Sequence, residues 1–396
     1  MGQIGFDTAF ANYSAPFDQD RNGDVTADEL AQQITPLENA WGGYKDAGDW
    51  DRRIQHLGGT RQHLELLEIF PDYFATVDLN IPETTDSFAT AESLNAAHPD
   101  NGIPDILDES LWSLDFFRRL QNADGGVRGG IESAESPRAG EVSWQESLNV
   151  FAYAADPWSS YIYAGVAARA ARVLKNYDAD LAAVYEESAI RAMNWAEAET
   201  PTDPKYDRNE IRDERNLAAL ELYLLTKDTR WNNIFLADTV FSGAQCGPGQ
   251  PCADVFEFEK HDQQQAAALY ARAPENLTNT VIKDNTAAAI IRAAENSLAV
   301  QNGGNITFNG VEGLAVNGTA FGWTKNRSFT PLGVAQLATP QVDALLQAYT
   351  ITGKQDYVDS AVLASQFSAG ANPSNTVYTT GLKKWALPIA NLKTPL

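Results

Sequence analysis

Two aspartates, Asp46 and Asp49, stand three residues apart within WGGYKDAGDWDRR, residues 41–53. In a turn or a first helical turn this spacing aims both carboxylates the same way. Their ionisation is then coupled, and one member keeps its proton longer. Paired carboxylates are the residue types of general acid–base chemistry. A turn with two solvated acids uses the same letters, so DAGD alone leaves both readings open.

A second acidic motif, DQDRNGDVTADE, runs from Asp18 to Glu29. It has oxygen side chains at loop positions one, three and five, Gly23 at six, Val25 at eight and Glu29 at twelve, the spacing of an EF-hand calcium loop. Asp18, Asp20 and Asn22 would give side-chain oxygens, Asp24 its carbonyl, Thr26 a hydroxyl or bridging water, and Glu29 both carboxylate oxygens. EF-hands that act as switches work in pairs, and a lone loop points to a structural Ca2+.

The elements that position these residues read as helices. Leu107, Leu111, Leu114 and Phe117 share a face. So do Leu181, Val184, Tyr185, Ala189, Ala192 and Trp195, behind an Asp180 suited to capping. The pattern continues through Leu217, Leu220 and Leu224, then Val342, Leu345, Leu346 and Tyr349, then Tyr357, Ala361, Ala364 and Phe367, with Gly370 as a stop. The stretch 161–174 is rich in Ala almost all round, as expected of an inner helix. Strand patterns are short, at 255–258 and 305–308. These features predict an all-α chain, with an N-terminal segment 1–39 holding the calcium-type loop and one helical domain over 40–396.

Bulk composition narrows the partners. Of 396 residues, 53 are acidic and 29 basic, and the net charge of -24 repels nucleic acid and anionic membranes. A neutral polymer or a cation suits it better. No apolar run is long enough to span a bilayer, and the start, MGQIGFDTAF, lacks the basic and apolar regions of an export signal. Cys246 and Cys252 lie close within CGPGQPC, a spacing that favours a local disulfide over zinc, with two free thiols as the alternative.

The wording around Asp46 and Asp49 resembles glycoside hydrolase family 9, the cellulase family whose hallmark is a Gly-Gly stretch running into Asp-Ala-Gly-Asp. Further matches follow in order: NGIPDILDESLWSLDFFRRLQNADGGV at 101–127, AARAARVLKNYDADLAAVYEESAIRAMNWA at 167–196, RDERNLAALELYLLTKD at 212–228 and GANPSNTVYTTG at 370–381. The resemblance implies a six-hairpin α/α barrel with a cleft built from loops at one end. It also implies inverting hydrolysis of β-1,4-glucosidic bonds, with Asp49 as the base, Asp46 orienting the water, and a separate acid about 6.5–9.5 Å away. Trp41, Tyr44, Trp144, Trp323 and Tyr378 are candidate sugar platforms, each weighed against the ordinary fate of a large ring, burial in a core.

The family's acid is a Glu beyond the turn matching 372–381, and no residue here matches it by motif. The expectation is a piece of a longer, exported gene product. The alternatives are a calcium-stabilised sugar-binding protein without activity, or an acid drawn from Glu132, Glu135 or Glu141. Exo action, as a glucosidase on cello-oligosaccharides or a glucosaminidase on amino-sugar oligomers, stays open beside endo action.

Overall fold

The computed structural model describes residues 9–11, 36–37, 42–44, 51, 54–79, 81, 102–133, 135, 138–142, 145, 147–148, 150–200, 209–242, 263–302, 304–308, 311–316, 342–366, 369–370 and 377. The chain divides into two compact units, Met1–Asp238 and Thr239–Leu396.

The first unit holds helices α1 (Leu57–Ile69), α2 (Pro71–Phe74), α3 (Asp105–Arg119), α4 (Pro157–Leu174), α5 (Ala179–Glu199), α6 (Asn209–Thr226) and α7 (Thr229–Asp238). As anticipated from its all-round Ala, α4 is the inner helix, buried on nearly every face and packed against α1, α5 and α6. Small side chains permit this closeness. A Cβ added at Gly165 would lie 3.4 Å from the Cα of Ala218 on α6. Pro157 occupies the first turn of α4, where its missing N–H costs nothing, and Asp156 caps the helix by accepting from the Ser159 N–H at 2.8 Å.

On α3 the predicted stripe of Leu107, Leu111, Leu114 and Phe117 is buried. At about 1.5–3 kcal/mol for each such side chain, this face outweighs any propensity term in placing the helix. On α5, Leu181, Tyr185, Ala189 and Ala192 are buried, whereas Val184 and Trp195 are half-buried. The cap is Asp178 rather than Asp180. Its extended backbone lets the carboxylate reach back to the Leu181 N–H at 2.9 Å, while Asp180 already lies inside the first turn.

Four short strands complete this unit: β1 (Ala9–Ala11), β2 (Pro36–Leu37), β3 (Ile131–Ser133) and β4 (Val150–Ala152), in the order β2-β1-β4-β3. Strand β4 runs antiparallel to β3 and parallel to β1. The sequence pattern did not anticipate this sheet, because three-residue strands are too brief to show alternation.

The second unit contains α8 (Gln264–Arg272), α9 (Thr280–Asn302), the antiparallel pair β5 (Gly304–Phe308) and β6 (Val311–Val316), α10 (Asp343–Thr352) and α11 (Gln355–Ser365). The strand anticipated at 305–308 falls within β5; that at 255–258 lies outside the described residues. Helix α10 ends on Gly353 at φ +68°, whose N–H returns to the Tyr349 carbonyl at 2.7 Å. Its buried face consists of Ala344, Leu345, Gln347 and Ala348, and Leu346, placed in the stripe from sequence, is exposed. Tyr357, Ala361 and Ala364 are buried as expected, and α11 stops at Ser365, ahead of Gly370. Among the described residues no helix is long and apolar enough to cross a membrane.

Candidate active site

The candidate site is built where the Gly-Gly pair meets α3. Gly42 and Gly43 take φ of +100° and +74°, a region that side-chain-bearing residues avoid. Both are buried. A Cβ at Gly43 would stand 2.4 Å from Oδ2 of Asp51 and 2.9 Å from the Phe116 ring, so the backbone passes where no side chain fits. The indole N–H of Trp112, one turn earlier on α3, donates to the Gly43 carbonyl at 3.3 Å.

Tyr44 follows, tied at two points. Its backbone N–H donates to Oδ2 of Asp51 at 2.7 Å, and its hydroxyl donates to Oε1 of Glu109 on α3 at 2.6 Å. Burial, with the Glu109 carboxylate next in weight, pushes the phenol well above its ordinary value, so it remains a donor through the neutral range.

Asp51 is fully buried. A buried carboxylate is costly unless each oxygen has a partner. Here Oδ2 takes the Tyr44 N–H and Oδ1 lies 2.9 Å from Nδ1 of His56, at the entrance to α1. The Asp51 carbonyl accepts the Ile131 N–H at 2.9 Å, which fastens the same residue to β3. Tyr44 and Asp51, the described residues on either side of the stretch 45–50 that carries Asp46 and Asp49, are thus joined by one hydrogen bond.

Around this point the anticipated helices supply the frame. Asp105, in the motif at 101–127, opens α3 and accepts the Leu79 N–H at 2.6 Å. Arg215, in the motif at 212–228, joins Glu197 on α5 at 2.6 and 2.8 Å and also pairs with Asp238 on α7.

Of the residues singled out from sequence, Tyr44 is described and is half-buried. Asp46, Asp49, Trp41, Trp144, Trp323 and Tyr378 lie outside the described residues. So do Cys246, Cys252 and the calcium-type loop with Asp18, Asp20, Asn22, Asp24, Thr26 and Glu29. Among the described residues no cluster of three or more His, Cys, Asp or Glu is arranged to hold a metal. Glu132 lies on β3. Glu135 accepts the Ala139 N–H at 3.1 Å and Glu141 the Ser147 N–H at 2.8 Å, so both carboxylates tie local turns. Asp51, His56, Glu109 and Trp112 went unnoticed in the sequence, although Asp51 sits inside the motif itself.

Comparison with known proteins places this arrangement in context. The family model for glycosyl hydrolase family 9 matches residues 14–387. The chain is 24% identical over 374 residues to endoglucanase C of Cellulomonas fimi, a match covering 86% of this chain and 29% of that protein. It is 26% identical over 162 residues to a cellulose 1,4-β-cellobiosidase of Acetivibrio thermocellus, covering 36% of this chain and 18% of the relative. Among solved structures, a metagenome-derived family 9 endoglucanase aligns with a TM-score of 0.67 at 20% identity, over 95% of this chain and 61% of that one. The chain thus spans under a third of the first relative's length and about three-fifths of the solved structure's. The fold shared with such structures is the α/α barrel that the family resemblance implied. The match across residues 14–387, with the Gly-Gly turn and the anchored segment lying inside it, shows that the chain belongs to glycosyl hydrolase family 9.

Proposed function

We propose that this chain is the catalytic domain of an inverting β-1,4-glucanase acting on cellulose or a related β-glucan. The observation that carries this is the DAGD segment, anchored at both ends by Tyr44 and Asp51, in a chain of this family. Asp49 is the general base. It takes a proton from water as the water oxygen bonds to the anomeric carbon, while a separate carboxylic acid protonates the departing glycosidic oxygen. Asp46 accepts the water's other hydrogen and leaves a lone pair aimed at the sugar. Trp41, Trp144, Trp323 and Tyr378 are proposed platforms; for Tyr44 the ring alone is left for that role, its hydroxyl being held by Glu109.

The test is Asp49→Ala in the full-length protein. A folded variant whose turnover of a soluble β-glucan falls by about a thousandfold or more supports Asp49 as base, and unchanged turnover removes it. Exo action is the second reading, favoured by the cellobiosidase among the relatives. Chromatography separates the two: a single short product from the earliest times means exo, and a spread of lengths means endo.

The loop 18–29 is proposed to hold one structural Ca2+, since its donors are all oxygen and spaced as an EF-hand requires. Calorimetric titration with calcium should show weaker binding after Glu29→Gln; equal binding would dismiss the loop. An insoluble polymer substrate supports an extracellular or periplasmic location.

A further inference from the structure

The geometry points to Asp51 as a positioning residue that sets the aim of the catalytic segment through the Tyr44 amide and His56. This rests on the glucanase reading above, in which residues 45–50 carry the base and the water-orienting carboxylate.

Three features of the Asp51 carboxylate support this. It is fully buried, so it is no solvent-facing acid and meets no substrate. Its two oxygens go to different places: Oδ2 to the Tyr44 N–H at 2.7 Å, before the segment, and Oδ1 to His56 Nδ1 at 2.9 Å, after it. Its surroundings allow little slack. The Asp51 backbone is fixed to β3 through Ile131, and the Gly43 backbone presses so close that an added Cβ would overlap Oδ2. Tyr44, in turn, is held to α3 by Glu109. The two residues flanking the segment thereby serve as posts, Tyr44 rooted in α3 and Asp51 in β3 and the start of α1.

The consequence for catalysis follows from how steeply the rate depends on aim. A base must sit within hydrogen-bond reach of its water, and displacement by about 1 Å costs about a hundredfold in rate. A serine is too short to reach both partners, and alanine reaches neither. Asparagine keeps an oxygen for the Tyr44 N–H and offers its amide to a neutral His56. The clasp therefore predicts graded loss: severe for Asp51→Ala, partial for Asp51→Asn.

The test compares Asp51→Ala, Asp51→Asn and Asp49→Ala in the full-length enzyme on a soluble cello-oligosaccharide, with rates normalised to folded protein by near-UV circular dichroism. Alongside, hydrogen exchange of the Tyr44 amide is followed by mass spectrometry. The clasp requires kcat of Asp51→Ala to fall about a hundredfold with KM within about threefold, and Asp51→Asn to recover at least about tenfold of that loss. It also requires the Tyr44 amide to exchange at least about ten times faster in Asp51→Ala while α3 is unchanged. Wild-type kcat per folded molecule, an Asn variant no better than Ala, or unaltered Tyr44 exchange would overturn it. If Asp51→Ala does not fold, Asp51→Asn decides: it must keep the Tyr44 amide protected and more than about a tenth of wild-type kcat. Should Asp49→Ala turn over like wild type, the glucanase reading fails by itself, and Tyr44 exchange still passes judgement on the clasp.

Discussion

Nε of Arg169 stands 2.5 Å from Oε1 of Glu221, and neither side chain meets solvent to any useful degree. Arg172 reaches the other oxygen of Glu221 at 2.8 Å and also pairs with Glu68, while Arg61 meets Glu214 at 2.9 Å. Charge thus threads α1, α4 and α6 together inside a core of mainly aliphatic and aromatic side chains. Such groups are stable there only because both Glu221 oxygens have a cation. These directional pairs add to the apolar packing in setting the rotation of α4, an alanine-rich helix buried on nearly every face.

Breaking one member should cost more than a surface pair. Glu221→Ala strips buried Arg169 of its shortest ion pair and leaves it only the carboxylates of Glu65 and Glu68, at 4.0 and 3.9 Å, with an expected loss of about 3 kcal/mol in denaturant unfolding. Arg172→Ala, at the half-exposed edge, should cost less.

The same cluster gives a pH dependence of definite sign. Burial alone would raise the Glu221 carboxyl, but Arg169 and Arg172 outweigh it and hold the group below its ordinary value of 4.5. A depressed folded value means stabilisation that is complete above the unfolded value and lost as pH falls through the lower folded one. Acid unfolding of Glu221→Gln should therefore show a shallower loss of stability below about pH 4.5 than wild type. Parallel curves would exclude the pairing.

How much of this was legible beforehand depends on the range of the signal. The inner position of α4 and the core stripe of α3 were readable, because all-round alanine and a repeating leucine face are local patterns. Placing the cap at Asp180 rather than Asp178 missed by two residues, since two capping-type residues adjoin and only backbone dihedrals separate them. Leu346 was assigned inward by its place in the apolar periodicity, yet Ala344, Leu345, Gln347 and Ala348 hold the contact and Leu346 faces out. The anchorage of Tyr44 was out of reach. Glu109 is 65 residues away, and a buried aspartate such as Asp51 is a type that composition places on the surface.

The Gly-Gly turn allows a direct test. Gly43→Ala must hold φ near +74° and push its Cβ into Asp51 and Phe116. Strain and overlap together should cost about 2–4 kcal/mol. Gly58, where an added Cβ meets nothing within 4 Å, serves as control. On α1 its replacement by Ala should stabilise by up to about 1 kcal/mol.

The α5 start discriminates between two neighbouring acids. Asp178→Ala removes the acceptor for the Leu181 N–H and should cost about 1 kcal/mol by thermal unfolding. Asp180→Ala loses only a favourable charge in the first turn and should cost a few tenths of a kcal/mol. Equal effects would contradict the cap.

Tyr44 separates anchor from platform in one pair of variants. Tyr44→Phe keeps the ring and deletes the hydroxyl bond to Glu109, leaving that partly buried carboxylate short of a donor; a loss of about 1–2 kcal/mol follows. Because burial and Glu109 raise the phenol above its ordinary 10.0, its stabilising contribution is intact below that value and fades only at higher pH. The Tyr44→Phe deficit should accordingly be constant from neutral pH to about 10 and shrink beyond it. If the ring also carries a sugar, Tyr44→Phe retains wild-type KM whereas Tyr44→Ala raises it several-fold, the order of about 1 kcal/mol for one stacked aromatic. A Tyr44→Ala variant with unchanged KM but reduced kcat would make Tyr44 solely a post of the clasp, acting on the segment that carries Asp49 and never on the glucan.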